Sequence, residues 1–205
     1  MTEVIFVQDG QLSRSIEVQS GEKTEMVLLV LPGVSCDIRM DVKLAGEGAE
    51  ANIYGAYVCG GEEKVKIAVD MHHDLPHCNS RQLFKGIAGG ASRVDFYGKI
   101  IVAQDAQRTE AYQENHNILL TDGAKVDTKP QLEIYADDVK CSHGATIGRL
   151  NEEEQFYMRS RGISLEDAKV LQMISFIAPV LENIPETDRE TVVMNFENAI
   201  RSLIK

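Results

Sequence analysis

The feature that most constrains the fold is a change in hydrophobic period near residue 150. Before it, short runs alternate apolar and polar side chains, which is typical of half-buried β-strands. After it, apolar residues recur at helical spacing. The sequence therefore predicts a β core domain over residues 1–150 and a C-terminal helical region over residues 151–205. The alternating runs are Arg39–Leu44, Lys64–Asp70, Lys99–Ala103, Asn117–Leu120 and Gln131–Ala136.

The number and shortness of these strands narrow the architecture without deciding it. Many short strands separated by glycine-containing turns are typical of a sandwich, a barrel or a β-solenoid. Apolar runs near Lys99, Ile118 and Leu132 recur at roughly twenty-residue spacing, which favours one coil of a solenoid per run. A jelly roll gives much the same pattern, so the alternation by itself leaves both folds open.

Three helices are predicted after residue 150. Asn151 is a suitable N-cap for the first, and Gly162 is a suitable stop. Ser164 begins the second, which Pro179 is expected to kink or end. A third follows Pro185. Amphipathic helices at a terminus pack on their own body or form a docking surface for a partner. The apolar stripes of the second and third helices include Leu165, Ala168, Leu171, Ile174, Val193, Phe196 and Ile200.

Composition excludes several function classes. The net charge of −11 disfavours nucleic acid and anionic membranes as partners, because an acidic surface repels phosphate. No run of apolar residues is long enough for a membrane helix, and the first residues lack a signal-peptide pattern, so we expect a cytoplasmic protein. Neither a P-loop motif nor a G-x-S-x-G motif occurs, so we expect no intrinsic ATPase or serine-hydrolase activity.

Cys141 and His143 form the first candidate metal site. They are two residues apart in a segment that reads as extended, so both side chains point to one face. A thiolate and an imidazole can bind iron or zinc, and the thiolate can accept sulfur. Two ligands do not complete a four-coordinate site, so others must come from elsewhere in the chain or from a second chain. The alternative is a buried cysteine beside a structural histidine.

A second candidate metal site lies in the loop region before residue 80. His72, His73, His77 and Cys78 fall within one short segment, as metal ligands often do. Their spacing matches no defined site, and a polar loop shaped by Pro76 is the alternative. If they bind metal, the chain is a stand-alone metal-dependent β-fold enzyme.

A longer pattern connects the first candidate site with a known family. The segment Asp127–Thr146, which contains Cys141-Ser142-His143-Gly144, closely resembles the signature of the SufB/SufD family of iron–sulfur cluster assembly proteins. The form of this motif favours the SufD-type side of the family. The resemblance is strong over residues 70–165. Other segments that fit it are Ser80–Gly86, Gly98–Val102, Ala106–Gln107, Gln113, Asn115, Asn117–Leu120 and Phe156–Ile163.

The resemblance implies both a fold and a role. The implied fold is a mainly β, right-handed parallel β-helix with C-terminal α-helices. The implied role is a scaffold subunit that acts with a SufB-type subunit and a SufC-type ATPase and carries an iron–sulfur cluster only transiently. It places His143 and Cys141 near the interface with the SufB-type partner, and it makes the C-terminal stripes the ATPase docking surface. Family members are longer than this chain, so a homodimer is a second expected assembly. A purely structural partner without any ligand is a third reading.

Overall fold

The computed structural model describes residues 2–204, which form eleven strands followed by three helices. The strands are nearly equal in length, and each turn between them is short. This regularity is typical of a chain that winds in coils. The strands are β1 (Thr2–Phe6), β2 (Gly10–Val18), β3 (Lys23–Val30), β4 (Cys36–Leu44), β5 (Glu50–Cys59), β6 (Lys64–His73), β7 (Asn79–Ala88), β8 (Arg93–Val102), β9 (Glu110–Leu119), β10 (Lys125–Ile134) and β11 (Lys140–Gly148).

The strands divide between two parallel sheets. The odd-numbered strands form a six-stranded sheet in the order β1-β3-β5-β7-β9-β11, and the even-numbered strands form a five-stranded sheet in the order β2-β4-β6-β8-β10. Each coil therefore adds one strand to each sheet. Because every pair is parallel, the jelly roll, which is antiparallel, is excluded. The expected β-solenoid is confirmed.

The main hydrophobic core fills the space between the two sheets. Every second residue of each strand points into it, so the alternation in β4, β6 and β8 corresponds to an interior face and a solvent face. Phe84 of the odd sheet meets Phe96 of the even sheet with ring centroids 5.0 Å apart. Each of these rings buries a large apolar area, and the pair joins the two sheets across the core.

The helices occupy the segment after β11. They are α1 (Glu152–Ser160), α2 (Leu165–Leu181) and α3 (Glu186–Leu203). The predicted caps are confirmed: Asn151 accepts from the backbone N–H groups of Glu153 and Glu154, and Ser164 accepts from that of Asp167. Pro179 lies in the last turn of α2, which ends two residues later.

Helices α2 and α3 cover the outer face of the odd sheet. A second apolar core lies there, in which Ile177 and Phe196 pack against strand residues such as Val27, Leu29 and Tyr54. The central odd strands are thus buried on both faces, whereas the even sheet keeps a solvent face. Within residues 2–204, none of the helices is long and apolar enough to cross a membrane.

Candidate functional site

The candidate site lies at the open end of the solenoid. Within residues 2–204, strand β10 pairs only with β8 and β11 only with β9, so no described coil is stacked upon the last one. The interior face of this coil is therefore uncovered. Its N–H and C=O groups form two free strand edges, which are templates for pairing with another chain.

Cys141 and His143 both point from β11 toward the interior of the solenoid. Cys141 is half-buried and packs against the main core. His143 is two residues further along the same strand, so it shares that face, about 6.6 Å away along the strand. His143 is exposed because no coil covers it. The structure thus confirms that the predicted pair lies on one face and places that face at the mouth of the solenoid.

The chemistry of the pair is that of an incomplete site. Burial raises the pKa of the Cys141 thiol, and a hydrogen bond from the Ala111 backbone opposes this shift. The thiol is therefore protonated at neutral pH until a metal or a neighbouring charge displaces the proton. Among residues 2–204 no three His, Cys, Asp or Glu side chains come together as a metal site. One thiol and one imidazole leave a metal ion with open positions.

Two columns of interior side chains lead from the pair into the solenoid. In register, Cys141 follows Ala111 and Ser80, and His143 follows Gln113 and Gln82. Gln113 is 1% exposed, and its Nε2 donates to Oε1 of Gln82 at 3.1 Å. The polar column beneath His143 was visible in the sequence only as part of the family motif. Only the strand register shows that the side chains of this column point into the solenoid.

The predicted metal cluster at His72, His73, His77 and Cys78 is wrong. His73 is the last residue of β6 and faces the interior, where its Nε2 lies 2.9 Å from Oγ of Ser80, so His72 points to the opposite face. His77 is an exposed turn residue at φ 62°. The buried Cys78 thiol donates to the Gly46 carbonyl at 3.2 Å. Strand alternation and the turn at Pro76 send the four side chains in different directions.

The predicted helical stripe is only partly internal. Phe196 and Ile200 are fully buried in the core against the sheet, Ala168 is fully buried, and Ile174 and Val193 are partly buried against the same core. Leu165 and Leu171 are exposed. Leu171 borders a groove of about 860 Å³ between α1, α2 and the sheet. The other side chains that line the groove include Ile118, Leu150, Tyr157, Met158 and Phe176.

Comparison with known proteins agrees with this geometry. Residues 13–176 match the family described as SUF system FeS cluster assembly, SufBD core domain. The chain belongs to the SufBD family. It is of the SufD type: the iron-sulfur cluster assembly protein SufD of Escherichia coli K12 is 52% identical over 112 residues, which are 55% of this chain and 26% of SufD.

Other relatives extend the likeness. The SufBD family protein Rv1462 of Mycobacterium tuberculosis is 30% identical over 182 residues, which cover 83% of this chain and 46% of the relative. The chloroplastic protein ABCI7 of Arabidopsis thaliana is 40% identical over 133 residues, which cover 64% of this chain and 28% of the relative. The chain thus spans between a quarter and half of the length of these three relatives.

Proposed function

We propose that this chain is a scaffold subunit for iron–sulfur cluster assembly and supplies one half of a nascent cluster site. The observation that carries the proposal is the position of Cys141 and His143, side by side on the uncovered interior face of the last coil. Iron and sulfide are the cargo of such a site. A thiolate and an imidazole bind iron, and the open coordination positions require ligands from a second subunit.

Replacement of His143 tests this function. In a complete assembly system with a SufB-type subunit and a SufC-type ATPase, His143→Ala is expected to abolish cluster formation, measured as protein-bound iron and acid-labile sulfide. His77→Ala is the matched control, because His77 is also an exposed histidine but lies in a distant turn. Normal cluster yield from a folded His143→Ala variant would overturn the proposal. Normal yield from a Cys141→Ala, His143→Ala double variant would favour a purely structural partner.

We further propose that a SufB-type subunit closes the open end. Apolar side chains remain exposed there, with Ile147 of β11 at 45% and Ile134 of β10 at 38%. Free strand edges beside apolar side chains are suited to pairing with the end of a second β-helix. Ile147→Lys is expected to weaken this association at least tenfold, because a charge at the contact is desolvated. Met194→Lys, on exposed α3 surface, is the control.

The same variant separates heterodimer from homodimer. Sedimentation of the chain alone reports whether it self-associates, and sedimentation with the SufB-type subunit reports the mixed complex. Loss of self-association in Ile147→Lys would show that a homodimer uses this end. If Ile147→Lys binds the SufB-type subunit as tightly as the unaltered chain, the partner docks elsewhere.

The exposed side of α1 and α2 is the proposed docking surface for a SufC-type ATPase. The support is the family resemblance together with the exposure of Leu165 and Leu171 and the open groove beside Leu171. Leu171→Glu is expected to lower co-purification of the ATPase, with Met194→Glu as the control. Unchanged co-purification would move the docking surface off this groove. The chain contributes no ATPase activity in this scheme, and we expect the complex in the cytoplasm.

A further inference from the structure

Beneath the proposed half-site, two neighbouring buried glutamines each keep one amide atom without a partner. Within residues 2–204, the buried Oε1 atom of Gln113 accepts no hydrogen bond and the buried Nε2 atom of Gln82 donates none, although Nε2 of Gln113 donates to Oε1 of Gln82. An unpaired buried acceptor costs roughly 1–3 kcal/mol, so native structures rarely leave one without a purpose. The fold places this oxygen in the column that ends at His143.

The register shows which side chain on the open side of Gln113 is nearest in sequence register to this oxygen. Gln113 lies between two in-register neighbours, Gln82 on β7 and His143 on β11. Adjacent strands are about 4.8 Å apart, a distance that glutamine and histidine side chains span. Because the amide nitrogen is already bound to Gln82, the amide oxygen remains for His143. An imidazole N–H is a strong donor for it.

The Gln113 amide is held in place from two sides. Besides the bond to Gln82, it fills the space above Gly98 of β8 in the opposite sheet: a Cβ atom at Gly98 would overlap the Gln113 amide. Gln113 is 1% exposed. Its oxygen is therefore a fixed acceptor rather than one on a mobile surface chain.

We propose that Gln113 is a positioning residue for His143: its Oε1 accepts one imidazole N–H, which fixes the neutral tautomer and keeps the other ring nitrogen free at the mouth of the solenoid. Histidines that bind metal almost always donate their second N–H to a carbonyl, a carboxylate or water, which orients the ring. The inference rests on the proposed function, in which His143 binds iron. It adds Gln113 as the residue that orients the imidazole ring of His143 for binding.

The tautomer of His143 tests the bond directly. Long-range ¹H–¹⁵N correlation spectra of the full chain, at a pH about two units above the ordinary histidine pKa of ~6.5, report the two neutral tautomers. The chain has five histidines, and the His143 signals are those lost in His143→Ala. Exposed His77 is the internal reference. We expect the tautomer ratio of His143 to differ from that of His77 by about fivefold or more.

Two variants show whether Gln113 causes the unequal tautomer ratio of His143. Gln113→Met keeps the length of the side chain but removes the acceptor, so the His143 ratio is expected to move to that of His77. Gln82→Met removes the bond partner of Gln113 but leaves its oxygen, so the His143 ratio is expected to persist. Equal loss in both variants would reflect general loosening of the interior and would overturn the specific role. If Gln113→Met does not fold, the unaltered chain decides: equal ratios at His143 and His77 overturn the proposal.

Cluster assembly separates this inference from the proposed function. Gln113→Met is expected to lower cluster yield about tenfold while leaving association with the SufB-type subunit intact. Suppose that His143→Ala assembles clusters normally, while in the unaltered chain Gln113 holds His143 in one tautomer. The proposed function then fails, and the hydrogen bond stands. If His143→Ala fails while the His143 ratio equals that of His77, the function stands and the role of Gln113 is wrong.

Discussion

At the scale of single residues, glycines on the interior face make room for the largest side chains. Tyr57 is fully buried, its hydroxyl donates to Asn117, and it accepts from Asn115 at 3.1 Å. Its ring lies over Gly86 on the next strand, where a Cβ atom would overlap it. The large residue and the small one are therefore a matched pair across the coil boundary.

Gly86→Ala is expected to destabilise the chain by at least about 2 kcal/mol, because a closely packed interior has no space for the added methyl group. The free energy of unfolding in urea measures the effect. Gly148→Ala is the matched control, since Gly148 is also a strand glycine but nothing lies within 4 Å of an added Cβ. Equal stability of the two variants would mean that the Tyr57 ring moves without cost.

His73 makes stability depend on pH. It is fully buried, and desolvation lowers its pKa to about 4, against a smaller opposing effect of Asp74. In the unfolded chain its pKa is ~6.5. Because burial depresses this pKa, its contribution to stability is present above about pH 6.5 and is lost as the pH falls toward about 4, where the unfolded chain binds the extra proton.

A non-titrating variant isolates this contribution. Between pH 7.5 and 4.5, the unaltered chain is expected to lose about 2–3 kcal/mol more unfolding free energy than His73→Gln. The glutamine still reaches Ser80 with a polar group. His77→Gln serves as the control, since His77 is exposed. Parallel pH curves for the unaltered chain and His73→Gln would show that His73 is accessible to protons in the folded state.

At the scale of elements, what the sequence could predict follows from which faces meet water. The even strands β4, β6 and β8 have one solvent face, so their alternation was readable. Strands β3 and β5 are buried on both faces and carry nearly continuous apolar runs, which alternation does not detect. Strand β9 was found only at its end, because its interior positions Gln113, Asn115 and Asn117 are polar.

The helices show a second limit of sequence-based prediction, which concerns what their apolar faces pack against. Phe196 and Ile200 of the predicted α3 stripe are buried as expected. The predicted α2 stripe is wrong at Leu165 and Leu171, which are exposed, because α2 buries Val170, Met173 and Ile177 instead. Amphipathicity also does not state whether a stripe faces the chain's own sheet or a partner. Phe196 is fully buried on the odd sheet. Phe196→Ala is therefore expected to cost about 3–5 kcal/mol of unfolding free energy, whereas Met194→Ala, exposed on the same helix, is expected to cost less than about 0.5 kcal/mol. A small loss for both would contradict tight packing of α3.

At the scale of the whole molecule, the two candidate metal sites had similar sequence signals but differ in geometry. Cys141 and His143 share a face because β11 continues through both, while strand alternation separates His72 from His73. Only three-dimensional winding decides which residues lie at the open end. The family resemblance gave only an expected partner interface at Cys141 and His143, which stays a prediction.

The packing of the helices on the odd sheet also decides how their role in ATPase docking can be tested. Removal of residues 151–205 exposes the outer face of the odd sheet, including Val27, Leu29 and Tyr54. A parallel sheet with an uncovered apolar face associates with itself, so the truncated chain is expected to aggregate in light scattering. Leu171→Glu leaves that face covered and is expected to stay monodisperse. If the truncated chain loses ATPase binding, aggregation through the uncovered sheet would therefore explain the loss without any role of the helices in docking. A truncated chain that stayed folded and monodisperse would show that the solenoid does not need its helices, and truncation would then be a valid test of docking.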